Sequence, residues 1–222
     1  LPVTGTARHN MMLDETILRR MPMVRVTPIR REDAPGLEDV FSRAEQALGF
    51  VPNSFFAMGR SPGILRAFTR LAREVIGVPG KAPLPLKRMA GYMASRSAGC
   101  MYCSSHTAET ASVVDGVPPE KVSAIWEYET SDLFDDAERA VLRMAQGAGT
   151  SPNAVSNEDM EELHKYFDDD QIVELVAAVC LFGWLNRWND TMATDLEPRP
   201  LEFGLSNLSD SGWVPGKHVD GD

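Results

Sequence analysis

Apolar residues along this chain recur every three or four positions, and nowhere do they alternate long enough with polar ones to define a strand. Asp33-Ala34-Pro35 reads as a helix start, and Leu37, Val40, Phe41, Ala44 and Leu48 then share one helical face until Gly49 closes it. Val51-Pro52-Asn53 is a turn, and Ser61-Pro62 opens a helix to about Ile76. The glycines and prolines from Gly77 to Pro85 mark a loop. A helix follows from Leu86 to about Ala98, Gly99 interrupts it, and another begins near Cys100 and ends by Asp115-Gly116. Pro118-Pro119-Glu120 starts a short helix, and Asp135 to about Gln146 forms a further one. Ser156 with Asp159 and Asp168 with Gln171 are capping-box pairs, the second opening a long helix through roughly Thr194. That helix is apolar on nearly all sides from Ile172 to Trp184, which predicts a central, buried element with Cys180 in the core. The predicted fold is all-α, with about eight helices.

The same punctuation divides the chain. Residues 1–32 lack periodicity and read as an N-terminal arm. Residues 33–197 form one helical domain, with no linker separating two cores. Residues 198–222, rich in Gly, Ser and Pro, read as a C-terminal tail that is loose or packed on a partner. The Leu175–Leu185 apolar run is about half of the ~20 residues a membrane span needs. No apolar signal segment is visible, and a start on Leu1 suggests a trimmed N-terminus. A net charge of −10 argues against nucleic acid and against an anionic membrane surface as partners. Three cysteines are too few for a secreted disulfide scaffold, so a reducing, cytoplasmic compartment is expected.

Chemistry concentrates in Cys100-Met101-Tyr102-Cys103-Ser104-Ser105-His106. On a helix, residues three apart are neighbours, so Cys103 can meet both Cys100 and His106. Cys100 and His106 lie about 120° apart around the axis. Gly99 places the pair near a helix N-terminus, whose free N–H groups and dipole favour a thiolate. Base proximity makes Cys103 the expected attacking thiol, oxidised to a sulfenic acid that Cys100 then resolves as a disulfide; the reverse order remains open. A c-type haem site would need histidine where Ser104 stands. Zinc would need His164 or Cys180 as a fourth ligand to Cys100, Cys103 and His106, and no second Cys/His pair is present. An inert buried pair is the plain alternative. No cofactor and no metal are expected.

At these residues the chain resembles the carboxymuconolactone decarboxylase-like superfamily, in particular its AhpD-like alkylhydroperoxidase branch. The resemblance runs from about Gly49 to Glu197. It rests on Gly49-Phe50-Val51-Pro52-Asn53-Ser54-Phe55, on Leu86 through Cys100-Met101-Tyr102-Cys103 to His106-Thr107-Ala108, and on Leu181 through Asn186-Arg187-Trp188-Asn189-Asp190. It implies a helical homo-oligomer (dimer, trimer or hexamer). It also implies reduction of an organic hydroperoxide or related electrophile by the cysteine pair, an external dithiol as reductant, and a histidine–glutamate proton relay.

Two departures stand out. His106 follows the second cysteine by three residues where the family has four, and the relay glutamate's position, twelve before the first cysteine, holds Arg88. Tyr92, one turn beyond Arg88, and Glu174, an acid in the apolar helix, are the candidate substitutes; a core aromatic and an ion pair are the plainer readings of the two. Asn186 and Asp190, i and i+4 on the last helix, could line the site, with capping or an interface as the plainer reading; His164 reads as a surface residue, and His9 and His218 as solvated termini. A lactone decarboxylase of the same fold and a non-catalytic redox sensor are the alternative functions.

Overall fold

A computed structural model describes residues 25–219 of the chain. Among the described residues there are ten α-helices and no strand: α1 (Glu38–Leu48), α2 (Asn53–Met58), α3 (Pro62–Ala72), α4 (Leu84–Ser97), α5 (Met101–Glu109), α6 (Pro119–Ser123), α7 (Asp136–Gly149), α8 (Asn157–Leu163), α9 (Asp169–Met192) and α10 (Pro198–Asn207). The all-α expectation holds. Capping boxes at Asp135–Glu138, Ser156–Asp159 and Asp168–Gln171 start α7, α8 and α9. The Asp33-Ala34-Pro35 start is displaced: two 3-10 turns precede α1, because Ala34 (φ −127°, ψ 52°) breaks the helical path between them. Most of the predicted arm, His9 included, lies outside the described residues.

Helix α4 is the hub and packs against α5, α7 and α9. Ala90, Tyr92, Met93 and Ala94 on it are almost fully buried. Its crossing with α9 is set by Gly91, where the Phe182 ring occupies the space a Cβ would need. A second apolar cluster joins Leu37, Val40, Phe41, Met58, Leu65 and Phe68 to Ala178 and Leu181, so α9 lies between two cores. Each such side chain contributes about 1.5–3 kcal/mol by leaving water.

Two expectations are corrected. Helix α9 is not buried all round, since Val173 and Trp184 are 67% and 40% exposed and Cys180 is exposed. Its two packed faces meet the α4 layer and the α1–α3 layer, and the third has no partner among the described residues. The tail is not loose: its described residues fold back over α5. Trp213 is 1% exposed, covers Gly204 of α10 and donates from Nε1 to the Met101 carbonyl at 3.1 Å. Among the described residues no helix is long and apolar enough to cross a membrane.

Candidate active site

The cysteine pair sits where α4 reverses into α5. Gly99 adopts φ +73°, a conformation glycine takes without Cβ strain. The Gly99 N–H donates to Arg96 O at 3.1 Å and the Cys100 N–H to Ser95 O at 3.0 Å. These two bonds form a Schellman closure of α4. The next residue in that turn, Cys100, is also the N-cap of α5: its extended backbone turns the chain and its Sγ accepts the Cys103 N–H at 3.4 Å. One glycine therefore ends one helix and delivers a sulfur to the positive end of the next.

The two free thiols are both buried but meet different neighbours. Cys103 Sγ accepts from the Asn189 amide of α9 at 3.3 Å. Burial pushes the Cys103 thiol well up from its usual range, the adjacent Cys100 sulfur adds to the rise, and the Asn189 bond opposes it. Cys100 faces Asp190 of α9 and His218 of the tail, and one potential ligand atom from each of the three lies within 4.8 Å of the others. His218 is 1% exposed, with Nδ1 2.8 Å from the Thr194 carbonyl and Nε2 3.6 Å from Asp190 Oδ1. A carbonyl only accepts, so Nδ1 carries the hydrogen and Nε2 presents a bare lone pair. Burial lowers the His218 pKa below its ordinary 6.5, against the upward pull of Thr194 and Asp190. Lys217 closes the rim with an ion pair to Asp190 at 2.8 Å.

His106 is elsewhere. Its Nε2 lies 2.5 Å from Glu197 Oε2, and its ring stacks on Tyr102 with centroids 4.3 Å apart. The Tyr102 hydroxyl donates to the other Glu197 oxygen at 2.9 Å, and the Asn53 N–H donates to that same oxygen. Burial alone would raise the Glu197 pKa, but the His106 ring and these donors hold it below the usual 4.5. The structure bonds His106 Nε2 to a carboxylate, and the side-chain donor at Cys103 Sγ is the Asn189 amide.

The other expected site residues do not gather at the sulfurs. Tyr92 is buried with no partner for its hydroxyl, and the charges that act on it are Arg96 and Glu127. Glu174 binds Lys87 Nζ at 3.1 Å and accepts the Lys81 and Ala82 N–H groups. It stands about 22 Å along α9 from Asn189, at 1.5 Å per residue. Arg88 is paired with Asp115 at 3.0 Å. The zinc set does not assemble, because His164 is half-exposed beside Asp169 and Cys180 faces outward.

Sequence reading missed Asn189, Glu197 and His218. A tryptophan and a histidine closely spaced in an otherwise Gly/Ser/Pro-rich tail, Trp213 and His218, were the signal that this tail is an ordered part of the core.

An all-helical protein with a buried Cys-x-x-Cys at a helix-to-helix reversal is the class this geometry defines. The sequence profile of the carboxymuconolactone decarboxylase family matches residues 62–147, which hold α3 to α7 and both cysteines. Across 82% of this chain and 96% of the other, the fold matches a debrominase, Bmp8, solved as a Cys→Ala variant with 2,3,4-tribromopyrrole, at 37% identity and a TM-score of 0.76. An uncharacterized peroxidase-related protein from Ralstonia eutropha with an alkylhydroperoxidase AhpD core matches over 84% of this chain and 97% of its own, at 22% identity and a TM-score of 0.71. The uncharacterized protein YnjA of Escherichia coli is 29% identical over 93 residues, 42% of this chain, so the match spans about half the length (50%) of that curated relative. The chain belongs to the carboxymuconolactone decarboxylase family.

Proposed function

We propose that this protein is a dithiol oxidoreductase that reduces a small halogenated, electron-rich aromatic compound, with Cys100 and Cys103 leaving the cycle as a disulfide. The observation that carries the reading is the pair itself: two free thiols on adjacent turns, one capping a helix through its sulfur and the other held by an amide. The halogenated substrate class is supported by the 37% identity to a debrominase across most of both chains.

The chemistry balances on the two cysteines. A thiolate takes the halogen, breaking the carbon–halogen bond and forming a sulfur–halogen bond, and the ring carbon takes up a proton. The second sulfur displaces halide and closes the disulfide. One aryl halide and two thiols thus become one arene, one disulfide, halide and a proton, and an external dithiol restores the pair. Asn186 supports a polar aromatic substrate: its amide is buried with neither atom bonded, on the α9 face one turn before Asn189. Such an amide matches a ring N–H. Of the groups around Cys100, Asp190 and its partner Lys217 reach the surface, with side chains 41% and 38% exposed.

An organic hydroperoxide is the second substrate class, because the same pair would cleave an O–O bond and end in the same disulfide. The test is halide release and thiol consumption with bromopyrroles, run beside cumene hydroperoxide, on the protein and on a Cys100→Ser/Cys103→Ser variant. Bromide released at one equivalent per disulfide supports the reading. Full activity in the double variant ends both versions of it.

A further inference from the structure

We propose that His218, brought in by the C-terminal segment, is the base that takes the proton from Cys100, and that Cys100, not Cys103, is the attacking thiol. The proposal rests on the dithiol reading above and assigns its acid–base machinery, which the matched family profile over residues 62–147 does not reach.

The argument begins with hydrogens. His218 Nδ1 must donate to the Thr194 carbonyl, which leaves Nε2 as a lone pair; that atom is buried and has no hydrogen-bond partner. Facing it are a carboxylate oxygen of Asp190 at 3.6 Å and the sulfur of Cys100. Asp190 is part-exposed and its other oxygen is held by Lys217, so the buried Nε2 is the acceptor here that lacks a hydrogen. The thiol of Cys100, in the same cluster, carries a hydrogen it can give. Moving it from Sγ to Nε2 breaks the S–H bond, makes an N–H bond and leaves a thiolate beside an imidazolium, with Asp190 placed to stabilise the new positive charge. Since burial keeps His218 neutral at ordinary pH, it is ready to accept.

Geometry then separates the sulfurs. A thiolate at Cys100 gains the Cys103 N–H and the N-terminal end of α5. Cys103 has neither, and burial holds it as a thiol. That is the state wanted in the resolving partner until Cys100 carries a leaving group. The groups facing the cluster are Asp190 from α9, Lys217 beside His218, Cys103 from α5, and the Tyr102 ring 5.8 Å from His218, whose hydroxyl is taken by Glu197. His106 binds Glu197 through Nε2, and the hydrogen bonds that reach the two sulfurs come from the Cys103 N–H and the Asn189 amide instead.

The test needs no substrate. Iodoacetamide labelling of the whole chain, resolved by cysteine in mass spectrometry and followed from pH 5 to pH 9, reads the thiolate directly. Cys100 should label before Cys103 across that range. His218→Asn retains an amide N–H near the Nδ1 position to bond Thr194 but removes the base. It should slow Cys100 labelling about 10-fold at pH 7 and move the inflection upward, while His106→Asn leaves the profile in place. If His218→Asn fails to fold, Asp190→Asn is the second variant, with slowing of about threefold and the same direction of shift.

Cys103 labelling first, or an unchanged Cys100 profile in whichever histidine or aspartate variant is folded, overturns the proposal. Labelling that rises many-fold on adding a chelator also overturns it, by showing a cation in the cluster instead of a proton. A shifted profile together with no turnover of halide or peroxide leaves the base assignment standing and ends the functional reading.

Discussion

His106 and His218 both lie near the same ring, Tyr102, at centroid distances of 4.3 and 5.8 Å, yet they are opposite kinds of histidine. His106 comes from the recognisable cysteine helix and has its Nε2 fully used by Glu197. His218 comes from the far end of the chain and keeps its Nε2 unused beside Cys100. A completed hydrogen bond makes a scaffold, whereas a buried polar atom left unpaired retains free energy for chemistry. The His106–Glu197–Tyr102 group ties α5 to the Glu197 start of α10 and to Asn53 at the start of α2. The His218–Asp190–Cys100 group leaves a buried lone pair unpaired. Proximity to a cysteine in sequence is therefore a poor guide to which histidine keeps such a nitrogen beside a sulfur.

The largest effect is expected at the sulfur that both histidines are being compared against. Cys100→Ser should reduce halide release or peroxide turnover to background, a loss of about 1,000-fold or more, whereas Cys103→Ser should leave an oxidised Cys100 that dimedone traps. If the trapped sulfur is Cys103 in a Cys100→Ser protein, the comparison is inverted.

Next, His218→Asn should lower kcat/KM at pH 7 about 100-fold with Tm changed by only a few degrees, as steady-state rates and calorimetry will show.

The mirror image is Glu197→Ala. It removes one member of a buried pair and should cost about 3 kcal/mol of unfolding free energy in urea titrations, with the Cys100 labelling rate of the folded protein retained. Equal loss of reactivity in both variants would erase the distinction between scaffold and base.

A smaller effect follows from pH. Both His218 and Glu197 have folded-state pKa values below their ordinary ones. The unfolded chain therefore binds more protons, and stability falls as pH falls. The His218 contribution is complete above its unfolded 6.5 and is lost below it; the Glu197 contribution is complete above 4.5 and is lost on further acidification. The urea midpoint should drop between pH 7 and pH 5 in the parent and stay flatter over that interval in His218→Asn.

The smallest effect belongs to Tyr92, whose buried hydroxyl has no partner. Tyr92→Phe should leave turnover unchanged and stability equal or higher by about 1 kcal/mol. A collapse of turnover would return Tyr92 to the proton-donor role its helix position suggested.

Helix periods, capping boxes and the Gly99 break were legible because they are local: each depends on residues within one or two turns. Cys100 and Cys103 were legible for the same reason, as i and i+3 on one short helix. Glu174 was read as either the missing carboxylate or the partner of an arginine, and Lys87 with two backbone N–H groups holds it. Cys180 was misplaced because composition reports how apolar α9 is, not which of its faces finds a neighbour.

What the amino-acid order determined unaided is the all-helical class and the presence of two sulfurs at a helix start, since both follow from backbone geometry over a few residues. Which imidazole reaches a sulfur was decided only in three dimensions. The tail's Trp213 and His218 are more than 100 residues from the cysteines along the chain, and folding them over α5 depends on burial and on bonds to Met101 and Thr194 that no local pattern encodes. A lone pair becomes reactive by what surrounds it, and those surroundings are assembled by packing.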